Sequence, residues 1–181
     1  MIVILTGASH TGKTALAQHM LEKYKYPVLS IDLLKMGLIR SHQTELTPND
    51  DLELEYYLWP IVSEIIKTAV ENNQNLIVEG CYIPARWYTS FTEETLKHIQ
   101  SYCLVMSQDY IKGNFDQIKE FASVIERRLD DSWCTLESTL AENAAYEKSF
   151  VESKYQKIIY IDVEYDVSNC LEDFRDDSKT Q

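Results

Sequence analysis

The sequence predicts an α/β chain, a parallel sheet with helices on both faces, and three observations carry that prediction. Short apolar runs alternate with longer stretches of helical spacing from end to end. The first run leads directly into Gly7-Ala8-Ser9-His10-Thr11-Gly12-Lys13-Thr14, which fits G-x-x-x-x-G-K-[ST] at every position. Charged residues close the next runs, Asp32 after the second and Glu79 after the third. Open parallel sheets bind their ligands at those carboxyl ends.

The elements follow in order. Ile2 to Leu5 reads as a buried strand, and Ala15 to Tyr24 as a helix. Tyr26-Pro27 breaks the chain before a second strand, Val28 to Ile31, with Asp32 at its end. Leu33 to Arg40 is a short helix, and Ser41 to Asn49 a polar loop. Thr47-Pro48 has the form of an N-cap with proline at the first helical position. A long helix then runs to Asn73, with Pro60 a candidate kink. Ile61, Val62, Ile65, Ile66, Ala69 and Val70 form its expected core stripe. Its aromatic cluster, Tyr56-Tyr57-Leu58-Trp59, reads as core or as the wall of a cleft.

Asn75 to Val78 is the third strand, followed by a loop from Cys81 to Tyr88 and a short helix from Thr92 to Ile99. Tyr102 to Met106 is the fourth strand. Helical spacing returns from Phe115 to Leu129 and from Leu136 to Lys154. Lys157 to Ile161 is the fifth strand, Ser168 to Phe174 a last short helix, and Asp176 to Lys179 a frayed end.

The chain has 181 residues, which suits one domain, 1–181. Lys and Arg number 17 against 29 Asp and Glu, a net charge of −12. That balance argues against nucleic acid or an anionic membrane surface as partner. No apolar run approaches the ~20 residues of a spanning helix. Cys81, Cys103, Cys134 and Cys170 are scattered and form no C-x-x-C, so they read as free, mostly buried thiols of a reducing compartment. With no signal peptide at the start, the expected location is the cytoplasm.

Each part of the Gly7–Thr14 pattern has a physical task. Its glycines let backbone N–H groups turn toward a di- or triphosphate, and the next helix points its positive dipole end at the same anion. Lys13 reaches the β- and γ-phosphates, and the Thr14 hydroxyl is a Mg²⁺ ligand. Ala8, Ser9, His10 and Thr11 supply loop backbone, and His10 reads as a spacer.

On this motif the chain resembles the P-loop kinases, and on size and element order it is similar to their nucleoside-monophosphate-kinase-like group. The resemblance implies a three-layer fold with a five-stranded parallel sheet in the order 2-3-1-4-5. It also implies a Mg²⁺- and ATP-dependent phosphotransferase acting on a small molecule, with an acceptor region at about 32–72 and a lid at about 107–132. The stretch from Ser30 to Arg40, SIDLLKMGLIR, looks most like the branch with zeta toxins, chloramphenicol phosphotransferases and 2-phosphoglycerate-kinase-like proteins. In that branch an Asp after the second strand takes the acceptor's hydroxyl proton and a nearby Arg holds the substrate; Asp32 and Arg40 match those places.

Glu79-Gly80, then Pro84 and Arg86, partly resembles the D-G-F-P-R segment of adenylate kinases, with Glu for Asp and with Cys81, Tyr82 and Ile83 between Gly80 and Pro84. By that resemblance Glu79 holds Mg²⁺ through water or contacts the acceptor, and Arg86 binds an anionic acceptor. Arg127 and Arg128, with Lys112 behind them, are the candidate lid cations that neutralise the transferred phosphate. The loop after Ile161 is the expected adenine contact.

Bland readings stand beside these. Asp32 is also a helix N-cap, Arg40 a surface charge, Arg86 a partner for a carboxylate, and Arg127 and Arg128 solvated charges. Two other functions stay open: a nucleoside-monophosphate kinase, whose phosphate acceptor needs no base, and an ATP-binding regulatory or toxin-like module.

Overall fold

A computed structural model describes residues 1–121, 134–162 and Phe174. The described strands are β1 (Ile2–Gly7), β2 (Val28–Ser30), β3 (Leu76–Glu79), β4 (Ile99–Met106) and β5 (Lys157–Ile161). They form one sheet in the order β2-β3-β1-β4-β5, with every pairing parallel. The helices are α1 (Lys13–Tyr24), α2 (Ile31–Arg40), α3 (Asp51–Glu71), α4 (Glu93–Leu96), α5 (Gln108–Phe121) and α6 (Leu136–Phe150), with a 3₁₀ turn at Trp87–Ser90.

Period-two alternation of the strands builds two cores. Ile2, Ile4, Val78, Cys103 and Val105 face one side, against Ile31 of α2, Leu54, Leu58, Val62 and Ile66 of α3, and Phe150 of α6. Val3, Leu5, Ile77, Tyr102, Leu104 and Met106 face the other, against Leu16, Ala17 and Met20 of α1 and Ile111 and Ile118 of α5. The central strand β1 is buried throughout, as its unbroken apolar run requires.

Several boundaries differ from the expected ones. Ile31 starts α2 instead of ending β2, so Asp32 lies in the first helical turn, where its charge complements the dipole. The α3 helix starts at Asp51, not at Pro48: Asp50 Oδ2 accepts from the Thr47 amide at 2.6 Å and the Thr47 hydroxyl at 2.8 Å, which closes a turn before the helix. The helix runs on through Pro60. Its buried stripe is Leu54, Leu58, Val62, Ile66 and Ala69, centred on Val62 and Ile66, while Ile65 is exposed and Ile61 and Val70 lie on the flanks. The aromatic cluster divides: Leu58 and Trp59 are core, Tyr56 is exposed, and the Tyr57 hydroxyl donates to Gln43 O at 3.1 Å.

The short helix after Thr92 ends at Leu96, and β4 begins at Ile99 because that edge of β4 pairs with Ile2. The helix expected from Phe115 starts at Gln108, with non-helical backbone at Asn114, and α6 stops at Phe150 rather than Lys154. The stretch to Leu129, most of Ser168–Phe174 and the Asp176–Lys179 end lie outside the described residues. Among the described cysteines, all free, Cys103 and Cys134 are buried and Cys81 is half-buried; Cys170 lies outside them. No helix among the described residues is long and apolar enough to cross a membrane.

Candidate active site

The site starts where β1 turns into α1. Gly7 has φ 141°, and a Cβ there would lie 2.3 Å from Leu104 O on the neighbouring strand. Only glycine permits that close approach. Gly12 (φ 80°) and His10 (φ 63°) are both left-handed, which curls the loop. For His10 this is a costly backbone state, in keeping with a residue whose contribution is shape. The Thr11 hydroxyl donates to Ala8 O at 2.8 Å and so ties the loop across its mouth.

Lys13 is only 7% exposed. Its ammonium bends back to donate to Ala8 O at 2.6 Å, because an interior cation needs an oxygen partner. Burial opposes its charge, but the nearby Cys81, Glu79, Glu142 and Asp32 outweigh that and raise its pKa. Glu79 and Glu142 each reach the loop through a hydrogen bond, and Asp32 acts on Lys13 through its charge.

Glu79 ends β3 in register with Leu5 and is 1% exposed. The Thr14 hydroxyl donates to its Oε2 at 3.3 Å. A hydroxyl and a buried carboxylate at the foot of a phosphate loop are hard oxygen donors suited to Mg²⁺, which keeps most of its waters and takes few protein ligands. No group of three or more His, Cys, Asp or Glu among the described residues forms a dedicated metal cage. Two hard oxygen donors suit a cation that takes its remaining ligands from water and phosphate.

Asp32 projects from α2, its side chain 37% exposed, with Lys35 bound to Oδ1 at 2.8 Å. Lys35 also donates to the Tyr82 hydroxyl at 3.0 Å, and that hydroxyl donates to Asp51 Oδ1 at 2.9 Å. Burial works against the Lys35 charge, but Asp32 and Tyr82 more than compensate, and its pKa is raised. Burial likewise raises the Tyr82 hydroxyl. This chain of four, from α2 across the β3 loop to α3, fixes the orientation of Asp32. Its Oδ2 has no protein partner among the described residues.

Sequence reasoning missed Lys35, Tyr82, Tyr146 and Glu142. Lys35 had a local signal, the i,i+3 spacing from Asp32 that puts both on one helix face. The others act over long separations. The Tyr146 hydroxyl donates to Cys81 O at 2.9 Å, and Ser9 N donates to Glu142 Oε1 at 2.9 Å. Nothing in the local pattern of α6 marks Glu142.

Two of the expected arginines, Arg40 and Arg86, do not join this group's hydrogen bonds. Arg40 and Arg86 are exposed, and neither side chain has a hydrogen bond or ion pair among the described residues. Lys112 is exposed on α5. Arg127 and Arg128 lie outside the described residues, as does the loop beyond Asp162 expected at the adenine.

A five-stranded parallel sheet in this order, with the glycine loop between its central strand and the first helix, is the fold of the P-loop kinases, in their nucleoside-monophosphate-kinase-like group. Solved structures of that fold cover nearly the whole chain. A sugar kinase from a Janibacter species matches with a TM-score of 0.57 at 15% identity, over 95% of this chain and 90% of its own. Deoxyadenosine kinase from M. mycoides with bound dATP gives 0.54 at 16% identity, over 95% and 96%. A gluconokinase from Sinorhizobium meliloti gives 0.51 at 13% identity, over 93% and 86%. At such identities the likeness is one of fold. No protein-family profile matches the chain. No curated protein matches it either.

Proposed function

We propose that the protein is a Mg²⁺-ATP-dependent phosphotransferase that moves the γ-phosphate to the hydroxyl of a small molecule. The observation that carries this reading is the grouping of Lys13, Thr14, Glu79 and Asp32 at the carboxyl ends of β1, β2 and β3. In this reading the Gly7–Thr14 backbone and Lys13 bind the phosphate chain, with Lys13 exchanging Ala8 O for a phosphate oxygen. Thr14 and Glu79 hold Mg²⁺, which supplies charge neutralisation for the transferred group. Asp32 accepts the acceptor's proton at Oδ2 while Lys35 keeps Oδ1 in place. The chemistry then rests on positioning and on preorganised charge.

A hydroxyl acceptor is favoured over a nucleoside monophosphate by Asp32, whose Oδ1 is held by Lys35, because an ionised phosphate acceptor needs no base. Sugar kinase and gluconokinase neighbours are consistent with that choice. The roles of Arg127 and Arg128 as lid cations, and the cytoplasmic location, belong to this reading as well. An ATP-consumption screen over sugars, sugar acids, phosphoglycerates, amino alcohols and nucleoside monophosphates tests it. Consumption that depends on one alcohol supports it. Consumption with nucleoside monophosphates alone replaces it, and tight ATP binding without turnover on any acceptor leaves the regulatory module.

A further inference from the structure

Glu142 is an acidic side chain that touches the phosphate loop's own backbone from a distant part of the chain. Its Oε1 accepts from the Ser9 amide at 2.9 Å across a separation of 133 residues. The helix that carries it is firmly seated. Asn143, 2% exposed, accepts from the Met106 amide at 2.9 Å and donates to Thr139 O at 2.9 Å. Tyr146, one turn on, donates to Cys81 O, and Phe150 is buried in the core. Glu142 is thus delivered to the loop by an anchored helix. It is also among the charges that hold the Lys13 ammonium protonated.

Loop amides at the start of a helix favour an anion, and a carboxylate oxygen satisfies an N–H as a phosphate oxygen does. Two negative oxygens do not share one such N–H without repulsion. Resting on the nucleotide reading above, we infer that Glu142 is a built-in competitor for the phosphate loop: its carboxylate occupies the Ser9 amide in the free protein, and nucleotide binds by displacing it. The structure supplies the rest of this resting state. Lys13 is satisfied by Ala8 O and Ser9 by Glu142, so both phosphate-facing donors are engaged within the protein, as is Thr14 on the Mg²⁺ side by Glu79. Affinity for nucleotide is set by the difference between the two sets of contacts. Removing the competitor raises affinity at the expense of the free protein's stability.

The test is calorimetric titration with Mg-ATP of the full chain and of Glu142→Gln and Glu142→Ala, alongside their thermal midpoints without nucleotide. Gln keeps an acceptor for Ser9 without charge; Ala removes both. A hydrogen bond to a charged group carries roughly ten- to hundredfold in an equilibrium constant. Binding is therefore expected to tighten by about tenfold or more in Ala and by less in Gln, with a lower nucleotide-free midpoint in Ala. Glu137→Gln, an exposed acid on the same helix, controls for net charge and leaves affinity unchanged. Equal or weaker binding in both variants, with binding intact in the parent, overturns the competitor and makes Glu142 a structural or substrate-side group. Absence of binding in the parent and both variants, all with native circular dichroism, overturns the nucleotide reading and the competitor together.

Discussion

Lys13 and Asp32 differ in how the protein holds them, and that difference sets what their substitutions do. Lys13 is buried and bonded to its own loop, so Lys13→Ala opens a space and removes one of the two donors to Ala8 O as well as losing a phosphate contact. The expected outcome is a modest fall in the nucleotide-free midpoint and loss of most of the Mg-ATP-induced rise, read by differential scanning fluorimetry. A rise of unchanged size would remove Lys13 from phosphate binding. Asp32 is part-exposed and held by Lys35, so Asp32→Asn preserves shape but gives up the charge that offsets the burial of Lys35. Lys35→Met should act through Asp32: it leaves a base without its orienting partner and lowers kcat more than it raises the acceptor's KM. Equal changes in both constants would make Lys35 a substrate ligand.

Among the elements, α3 joins a core stripe to the edge of the cleft. Leu58 is fully buried against the sheet, and Leu58→Ala is expected to cost about 2–5 kcal/mol in denaturant unfolding. Two residues on α3 serve the other side. Asp51 accepts from Tyr82, and Glu55 is half-buried, with burial pushing its pKa above the usual carboxylate value. A raised folded-state pKa means that the folded chain holds the Glu55 proton more tightly than the unfolded one. Stability from this group is present at low pH and is lost as pH rises through the ordinary and then the raised carboxylate range. Glu55→Gln should therefore raise the midpoint at pH 7 and change it little at pH 4; the opposite order would mean that Glu55 is stabilised as a carboxylate. At the loop before α1, Gly7→Ala meets Leu104 O and a positive φ together, and loss of folded protein on expression is the expected result.

For the whole molecule, sheet order and the phosphate loop were legible in the sequence, and the boundaries were less so. Ile2 to Leu5 is fully buried, so its apolar run had no competing reading. Ile31 did compete: an apolar residue after Ser30 continues a strand by pattern, yet its side chain is needed under α2 against Gly80, where a Cβ would come within 2.9 Å of Ile31 Cβ. Ile99 and Gln100 were missed because their strand character comes from pairing with Ile2 and Val3, which no local spacing reveals. The site divides in the same way. Gly7–Thr14, Asp32 and Glu79 were visible because each closes a strand or fits a motif. Lys35's partner lay one turn away, but Tyr82, Tyr146 and Glu142 enter through contacts whose two ends are 47, 65 and 133 residues apart. Topology brings those together, and sequence spacing does not encode it.

The reading as a whole stands on Asp32 serving as the base for an alcohol, and γ-labelled ATP tests it most directly. With the acceptor that the screen identifies, single-turnover transfer of label is followed for the parent and for Asp32→Asn. Label on the acceptor's hydroxyl oxygen is expected, with the variant slowed by about 10²–10⁴-fold while its Mg-ATP affinity stays the same. Transfer to a phosphate oxygen, or a variant as fast as the parent on an alcohol, would contradict the account and leave Asp32 as a charge in the first turn of α2.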